Sequence, residues 1–488
     1  MSGFEELSRE ELIAALTALT SAFAELQVEN ARLRERIGKL ERQVSRNSGN
    51  SSMPPSDDDQ SGKPQPKRRA KPGSGRSRGK QPGAAGTALA WSDRPDEVEP
   101  LFPAECGNSG LGSAGEAGVR ARQVIEIPLV TAKRTEYWLY KRRCECGHVT
   151  RAVLPPGVAD VPVSYGPNLQ SFVVYLLVMH AVPVERCQQL IADMSGARPS
   201  AGFVHGMLAR AATALAAFEK LVKTLITLSH VVHFDETTLK CGARGTGKAG
   251  AKKYVWVAST GRYTAYFLGG RDTGSFTAFG IGQAFRGVAV HDRYDLYDRG
   301  VLDQATGHQL YCSHLLRDLE DAAECYPDQH RPAQAQRALR GLIHQHHQAR
   351  DAGLAQIPTK VRDPLISDFR HTVRIRPADL PSIPGPKSTT AQLPGRCPLE
   401  APQDRQDDVL RFVFDTAIPP TNNQGERDLR PLKTQQKISG RLQPEETTRH
   451  RLTTRGYIST ATKHGINAMT TILDAITGNP WTPTYVNM

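Results

Sequence analysis

Apolar residues recur every seven positions near the start of the chain, at Leu12, Leu19, Leu26, Leu33 and Leu40. Leu16, Phe23, Asn30, Ile37 and Val44 form a second seam at alternating steps of four and three. A 3.5-residue period held over nearly five heptads predicts a coiled-coil helix across residues 1–46. Leu at d with Ile or Val at the later a positions favours two parallel strands, and the lone Asn30 at a sets register and dimeric state. The alternative is an amphipathic helix packed on the chain's own core.

The periodicity stops at Asn47. Ser, Gly, Pro and Asp, then Lys and Arg, dominate to about Ala90, so residues 47–95 are expected to be a disordered linker. Residues 96–160 suggest a small β module. A 3.6-residue period returns over 161–228, in LQSFVVYLLVMHAVPVERCQQLIADM and FVHGMLARAATALAAFEKLVKTLITL. The intervening SGARPSAG predicts two helices around a Gly-containing turn, the second opening near Ser200. That is a helix-turn-helix pattern for DNA, with an ordinary helical core as the other reading.

From Ser229 the pattern shortens to strands. HVVHFDETTLK, KYVWVAS and TAYFLGG are three consecutive strand candidates, TGSFTAFGIGQAF is helical, GVAVHDRYDLY opens with a short buried strand, and HQLYCSHLLRDLEDAAECY reads as a strand running into a helix. Three strands, a helix, a fourth strand and a helix is the order of the ribonuclease H-like α/β fold. Residues 229–488 therefore read as one such domain with an insertion at about 320–408: helical over Arg331 to Arg350, where HQHHQAR is expected to be an exposed face, then extended where seven prolines run from Pro377 to Pro402.

Composition narrows the function. At 488 residues the chain exceeds the roughly 250–300 residues of a single core. Its 39% hydrophobic and 23% charged content excludes disorder for most of its length. The net charge of +12 is local: Lys63, Lys67, Arg68, Arg69, Lys71, Arg76, Arg78 and Lys80 lie in one stretch with no acid, pointing to a polyanion such as nucleic acid. The longest apolar run, Phe172 to Met179, is far below the ~20 residues of a membrane span. The acidic start is unlike a signal peptide, so no membrane and a cytoplasmic location are expected. Most of the eight cysteines are scattered. Cys106, Cys144, Cys146 and His148 are the candidate zinc ligands of the β module, although a ribbon wants two Cys-x-x-Cys knuckles; a metal-free remnant is the alternative.

In the expected fold, one carboxylate on the first strand and one at the end of the fourth lie side by side. Their repulsion is relieved by two Mg²⁺ ions ~3.5–4 Å apart, which activate a water or a 3′-hydroxyl for attack at phosphorus. Asp235 and Asp292 hold those positions. A third acid comes from TNNQGERDLRPLKTQQKISGR, where Thr421 or Asn422 can cap a helix bearing Glu426 among Arg427, Arg430, Lys433, Lys437 and Arg441.

HFDET, VAVHDRYDLYD, YCSHLLRDL and above all TNNQGERDLRPLKTQQKISGR resemble the insertion-sequence sixty-six family of DDE transposases, and SRNSGNSSMPP is similar to the segment after that family's zipper-like helix. The resemblance covers nearly the whole chain. It implies a bacterial transposase, nucleoid-associated when bound to DNA, that cuts the terminal inverted repeats of its own element and joins the 3′-hydroxyls to target DNA. Asp235, Asp292 and Glu426 would be its Mg²⁺- or Mn²⁺-binding triad, His314 and Arg317 its His-x-x-Arg, Asn422 and Asn423 its Asn pair, and Arg427 and Arg430 the adjoining basic positions. Accessory proteins encoded by the element are a further implied partner. Glu236, expected on the opposite strand face, and Asp295 and Asp298, past the fourth strand, are weaker candidates. Two alternatives stay open: a transposase-derived DNA-binding protein without catalysis, and a nuclease that cuts without joining.

Overall fold

The computed structural model describes residues 130–242, 252–325, 329–374, 397–442 and 444–484, with shorter stretches at 90–101, 105–106, 109–110 and 120–125 and, near the N-terminus, at 9–10, 13–14, 16–23, 25–26, 29 and 37. The described N-terminal residues are helical, and the seam residues Leu16, Leu19, Phe23, Leu26 and Ile37 are 54 to 69% exposed. Leu12, Asn30, Leu33, Leu40 and Val44 lie outside the described residues, as do all eight cations from Lys63 to Lys80.

The β module consists of two short antiparallel pairs, β1 (Glu105–Cys106) with β2 (Ser109–Gly110) and β3 (Lys141–Arg143) with β4 (Val149–Arg151). In the turn between β3 and β4, Cys144 and Cys146 are joined as a disulfide. Paired in this way, the two sulfurs are not free thiolates; whether Cys144 and Cys146 bind zinc when reduced is a matter for metal analysis of the purified protein. His148 is exposed, and the side chain of Cys106 lies outside the described residues.

Helices α1 (Pro167–Val178), α2 (Val184–Ser195), α3 (Ala201–Ala214) and α4 (Ala216–Thr227) follow. Each of the two expected helices is thus divided in two. Pro183, which has no amide to donate, stands as the N-cap of α2, and the chain bends by 54° at Leu215 between α3 and α4. The start of α3 matches expectation, with the Ser200 hydroxyl accepting from Phe203 N at 3.2 Å. Among the described residues no single helix is long and apolar enough to cross a membrane; the bent α3–α4 pair would be so only in combination, and its apolar residues are in the core.

The sheet has the order β7-β6-β5-β8-β9, from β5 (Val231–Leu239), β6 (Lys253–Ser259), β7 (Thr264–Gly269), β8 (Val288–His291) and β9 (Gly307–Leu310). β5, β6 and β7 form an antiparallel meander, whereas β8 and β9 run parallel to β5. The period of two divides the sheet's faces. Val232, Phe234, Trp256, Ala258 and Ala289 meet α1–α4, α5 (Thr273–Phe279), part of α12 (Glu445–Lys463) and α13 (Ala468–Ile476) in one core. Leu239, Val255 and Val257 meet α11 (Asn423–Ser439) on the other face.

Beyond β9, α6 (Cys312–Cys325), α7 (His330–Asp351), α8 (Thr359–Val373), α9 (Cys397–Asp404) and α10 (Gln406–Leu410) gather around a further core that includes Val288 and Leu310. The HQHHQAR stretch of α7 is not wholly exposed. His346 is fully buried, its ring 5.4 Å from that of Phe412, because α7 turns this face toward the segment before α11.

Candidate active site at the ends of β5 and β8

β5 pairs with β8 in parallel, His233 opposite Val290. Continuing this register by two residues sets Asp235 beside Asp292, the residue after the end of β8. Side chains two residues apart share a face, so both acids turn to the side covered by α11. Glu426, in the first turn of α11, approaches from above; its carboxylate lies 4.0 Å from His314 Nε2 on α6.

The N-cap of α11 is Asn422 rather than Thr421, but its side chain does not cap the helix. Its Nδ2 donates to Asp235 Oδ2 at 3.1 Å, and its Oδ1 lies 2.7 Å from His233 Nδ1. Burial holds the His233 pKa down at about 4, so the ring is neutral and Nδ1 carries the proton that Asn422 accepts. Gly425 makes room for this arrangement, since a Cβ there would come within 2.7 Å of both Asn422 amide atoms. Asn423 is exposed at the start of α11.

Burial and like charge act together on the acids. Asp235 is raised well above the usual carboxylate range, first by burial and then by Glu236, Asp292 and Glu426. Burial also raises Asp292, while a hydrogen bond from Tyr294 N to Oδ1 at 2.9 Å opposes the shift. At an effective dielectric of ~20, two carboxylates ~4 Å apart repel by about 4 kcal/mol. Among the described residues no cationic side chain is bonded to Asp235 or Asp292. Buried hard-oxygen donors lacking a cation of their own fit a divalent metal such as Mg²⁺ or Mn²⁺.

Neutral donors surround the acids. The Tyr311 hydroxyl donates to Phe234 O at 2.5 Å and is raised well above its ordinary pKa by burial and then by Asp235, Asp292, Glu236 and Glu426. His314 is lowered to about 4 by burial and by Arg317, so its approach to Glu426 is a contact of a neutral ring, not an ion pair. Arg317 Nε lies 3.4 Å from Ser313 O, one turn from His314.

Other candidates stand apart. Asp295 pairs with Arg299, and Asp298 with Arg405 at 2.8 Å. Donor atoms of His291, Asp298 and His308 fall within 4.8 Å of one another. His291 Nδ1 meets the Asp292 carbonyl at 2.6 Å and must donate to it, leaving Nε2 to accept from His308 Nδ1 at 2.8 Å. With Asp298 already on Arg405, this is a satisfied hydrogen-bonded chain behind Asp292.

On α11, Arg427, Arg430 and Lys437 are exposed along one side and Lys433 is half-buried, whereas Arg441 Nη1 is 3.2 Å from the Cys241 carbonyl. The outward residues of α3 are mostly small, and its exposed Arg210 bonds Gln170 at 3.0 Å. His233, Tyr311 and Gly425 were not singled out in the sequence. The i, i+2 spacing of His233 and Asp235 on one strand was the available signal for the first; for Tyr311 nothing local distinguishes the residue.

The fold and site define a mixed α/β protein with clustered carboxylates where the central parallel strands β5 and β8 of its sheet part. Residues 162–449, from the approach to α1 into α12, match the Transposase IS66 family, and on this match the chain belongs to that family; its general role is that of a transposase. Residues 4–90 match a Family of unknown function (DUF6444). No curated protein matches the chain.

Proposed function

We propose that the chain is a DNA transposase that cleaves the ends of its own insertion sequence and joins the resulting 3′-hydroxyls to target DNA. The observation that carries this reading is the convergence of Asp235, Asp292 and the Glu426 helix beside the two central strands of the sheet, with no cationic partner bonded to either aspartate among the described residues, inside the family-matched segment. The sheet order, a three-strand meander followed by two parallel strands, supports a ribonuclease H-like core. Two Mg²⁺ or Mn²⁺ ions held by Asp235, Asp292 and Glu426 would supply Lewis-acid activation and neutralise the leaving oxygen.

The chain's own residues orient and screen. Asn422 fixes the Asp235 carboxylate through its amide, with His233 behind it. His314 presents an uncharged ring beside Glu426, able to hydrogen-bond a phosphate oxygen without drawing off the acid's charge. Arg427 and Arg430, exposed next to Glu426, would hold the DNA backbone, while Lys63 to Lys80 supply a diffuse tether. The exposed seam of Leu16, Leu19, Phe23, Leu26 and Ile37 supports pairing with a second copy, bringing two element ends together.

The test is incubation of the purified full-length chain with a labelled duplex from the element's end, target plasmid and Mg²⁺ or Mn²⁺. A joined product that disappears in Asp235→Asn, Asp292→Asn and Glu426→Gln, with DNA binding retained, is the expected result. Binding without metal-dependent cleavage would instead identify a catalytically silent DNA-binding protein; cleavage without joining would identify a nuclease.

A further inference from the structure

Glu236 follows Asp235 on β5 but points to the opposite face, as its place in the strand requires. There its side chain is only 4% exposed. Arg271 donates to Glu236 Oε1 through Nε at 3.0 Å and Nη2 at 2.7 Å, and the buried Tyr297 hydroxyl donates to Oε2 at 2.9 Å. Tyr297 is held in turn by the rings of Phe234, Trp256 and Phe276. Both oxygens of Glu236 are engaged, and the cation beside them disfavours a second one. Glu236 is therefore an anchor rather than a fourth metal ligand.

What it anchors faces outward. The Arg271 side chain is 41% exposed, with its guanidinium carbon 3.9 Å from the centre of the Tyr294 ring and 5.6 Å from that of Tyr254. The Nε–Nη2 edge is occupied by Glu236, and the Nη1 end has no bond to the described residues. Tyr294 ties this platform to the acids, for its amide donates to Asp292 Oδ1 at 2.9 Å and its hydroxyl to the Arg271 carbonyl at 3.2 Å. If Arg271 served only to neutralise Glu236, burial of the pair would suffice. Instead a planar cation is stacked on aromatic rings at the rim, its orientation fixed before any ligand arrives.

We propose that Arg271, clamped by Glu236 and Tyr294, is a backbone-phosphate contact for the DNA strand entering the acid cluster, on the rim opposite the basic side of α11. Guanidinium suits this task because it keeps its charge and offers directed N–H donors to phosphate oxygens even while one edge is engaged. A strand crossing the ends of β5 and β8 would be held by Arg271 on one sheet face and by Arg427 and Arg430 on the other. The backbone would then be positioned over Asp292 without sequence readout.

This inference rests on the transposase reading, and one experiment separates the two. Binding of a fluorescein-labelled duplex of the element's end to the full chain is measured by anisotropy between about 50 and 200 mM KCl, with thermal melts as a check on folding. Arg271→Gln is expected to weaken binding several-fold and to lower the slope of log affinity against log salt by about one. Arg271→Lys, which keeps Glu236 neutralised, should preserve the slope yet bind more weakly than wild type, because a flexible ammonium lacks the fixed fork. Wild-type affinity and slope in a folded Arg271→Gln protein overturn the proposal; if that variant does not fold, wild-type affinity in Arg271→Lys does so. Absence of DNA binding by the wild type would sink the transposase reading itself.

Discussion

Two carboxylates on one helix, two residues apart, have opposite surroundings. Glu426 and Asp428 are separated by about 200° around α11. Asp428, its side chain 8% exposed, is held through Oδ2: Lys463 Nζ reaches it at 2.7 Å, Gln424 Nε2 at 3.0 Å, and the Ser259 hydroxyl also donates to it. Lys463 further donates to the carbonyls of Thr260 at 2.8 Å and Tyr263 at 3.1 Å, pinning α11 and α12 to the turn between β6 and β7. Glu426, 37% exposed, has among the described residues no cationic partner, only a neutral histidine at 4.0 Å. A buried acid given a cation holds the fold; an acid left without one, beside two others in the same condition, is where the proposed function puts a metal.

The sharpest way to break this contrast is to neutralise each side. Asp235→Asn should lower strand transfer by at least ~10³-fold, or more than about 4 kcal/mol in activation energy, without lowering the unfolding midpoint. Lys463→Met should do the reverse in kind, costing roughly 3–5 kcal/mol of stability by leaving Asp428 buried and unpaired, as read by denaturant unfolding. Loss of activity in the second variant without loss of stability would show that the two acids are not so distinct.

Smaller effects refine the comparison. Asn422→Ala frees the Asp235 carboxylate and should reduce apparent Mn²⁺ affinity about 10–100-fold, measured by titrating the metal in the cleavage assay. Unchanged affinity would mean that Asn422 only shapes the helix start. The smallest expected change is in pH dependence. Glu236 is raised from 4.5 to about 7 by burial and by Asp292, and Asp235 and Asp292 are raised as well. These groups bind protons more tightly folded than unfolded, so their own contribution to metal-free stability is present below about pH 4.5 and is lost as pH rises toward 7, while the neutral, buried His233 and His314 contribute in the opposite sense. Mn²⁺ should restore a few degrees of melting temperature at neutral pH and almost none at pH 5. Equal protection at both values would argue against metal at these acids.

Much of this architecture was legible because its causes are local. Short apolar and β-branched runs bounded by turn residues mark the strands, and an acid at the end of one such run marks Asp292. The segment from Asn422 to Arg430 marks a helix start that brings Glu426 forward. Other features carried no local signal. Pro183 was visible, yet the joint at Leu215 follows from packing of α3 and α4 on different parts of the core. His346 sits in a polar run, and only the approach of Phe412, over sixty residues later, buries it.

By itself, then, the sequence did not set every helix boundary: α1–α4 are four helices where two were expected, and α9 is a helix where the proline run was expected to be extended. It did determine the strands of the sheet, the face on which each strand acid stands, and the family resemblance. It could do so because dihedral preference and side-chain period act over a few residues. Tertiary structure alone decided which acids received cations: Arg271 lies 35 residues from Glu236, and Lys463 lies 35 from Asp428. Coulomb attraction and burial depend on distance in space rather than along the chain. Only the folded molecule therefore distinguishes the carboxylates that hold it together from those left available for chemistry.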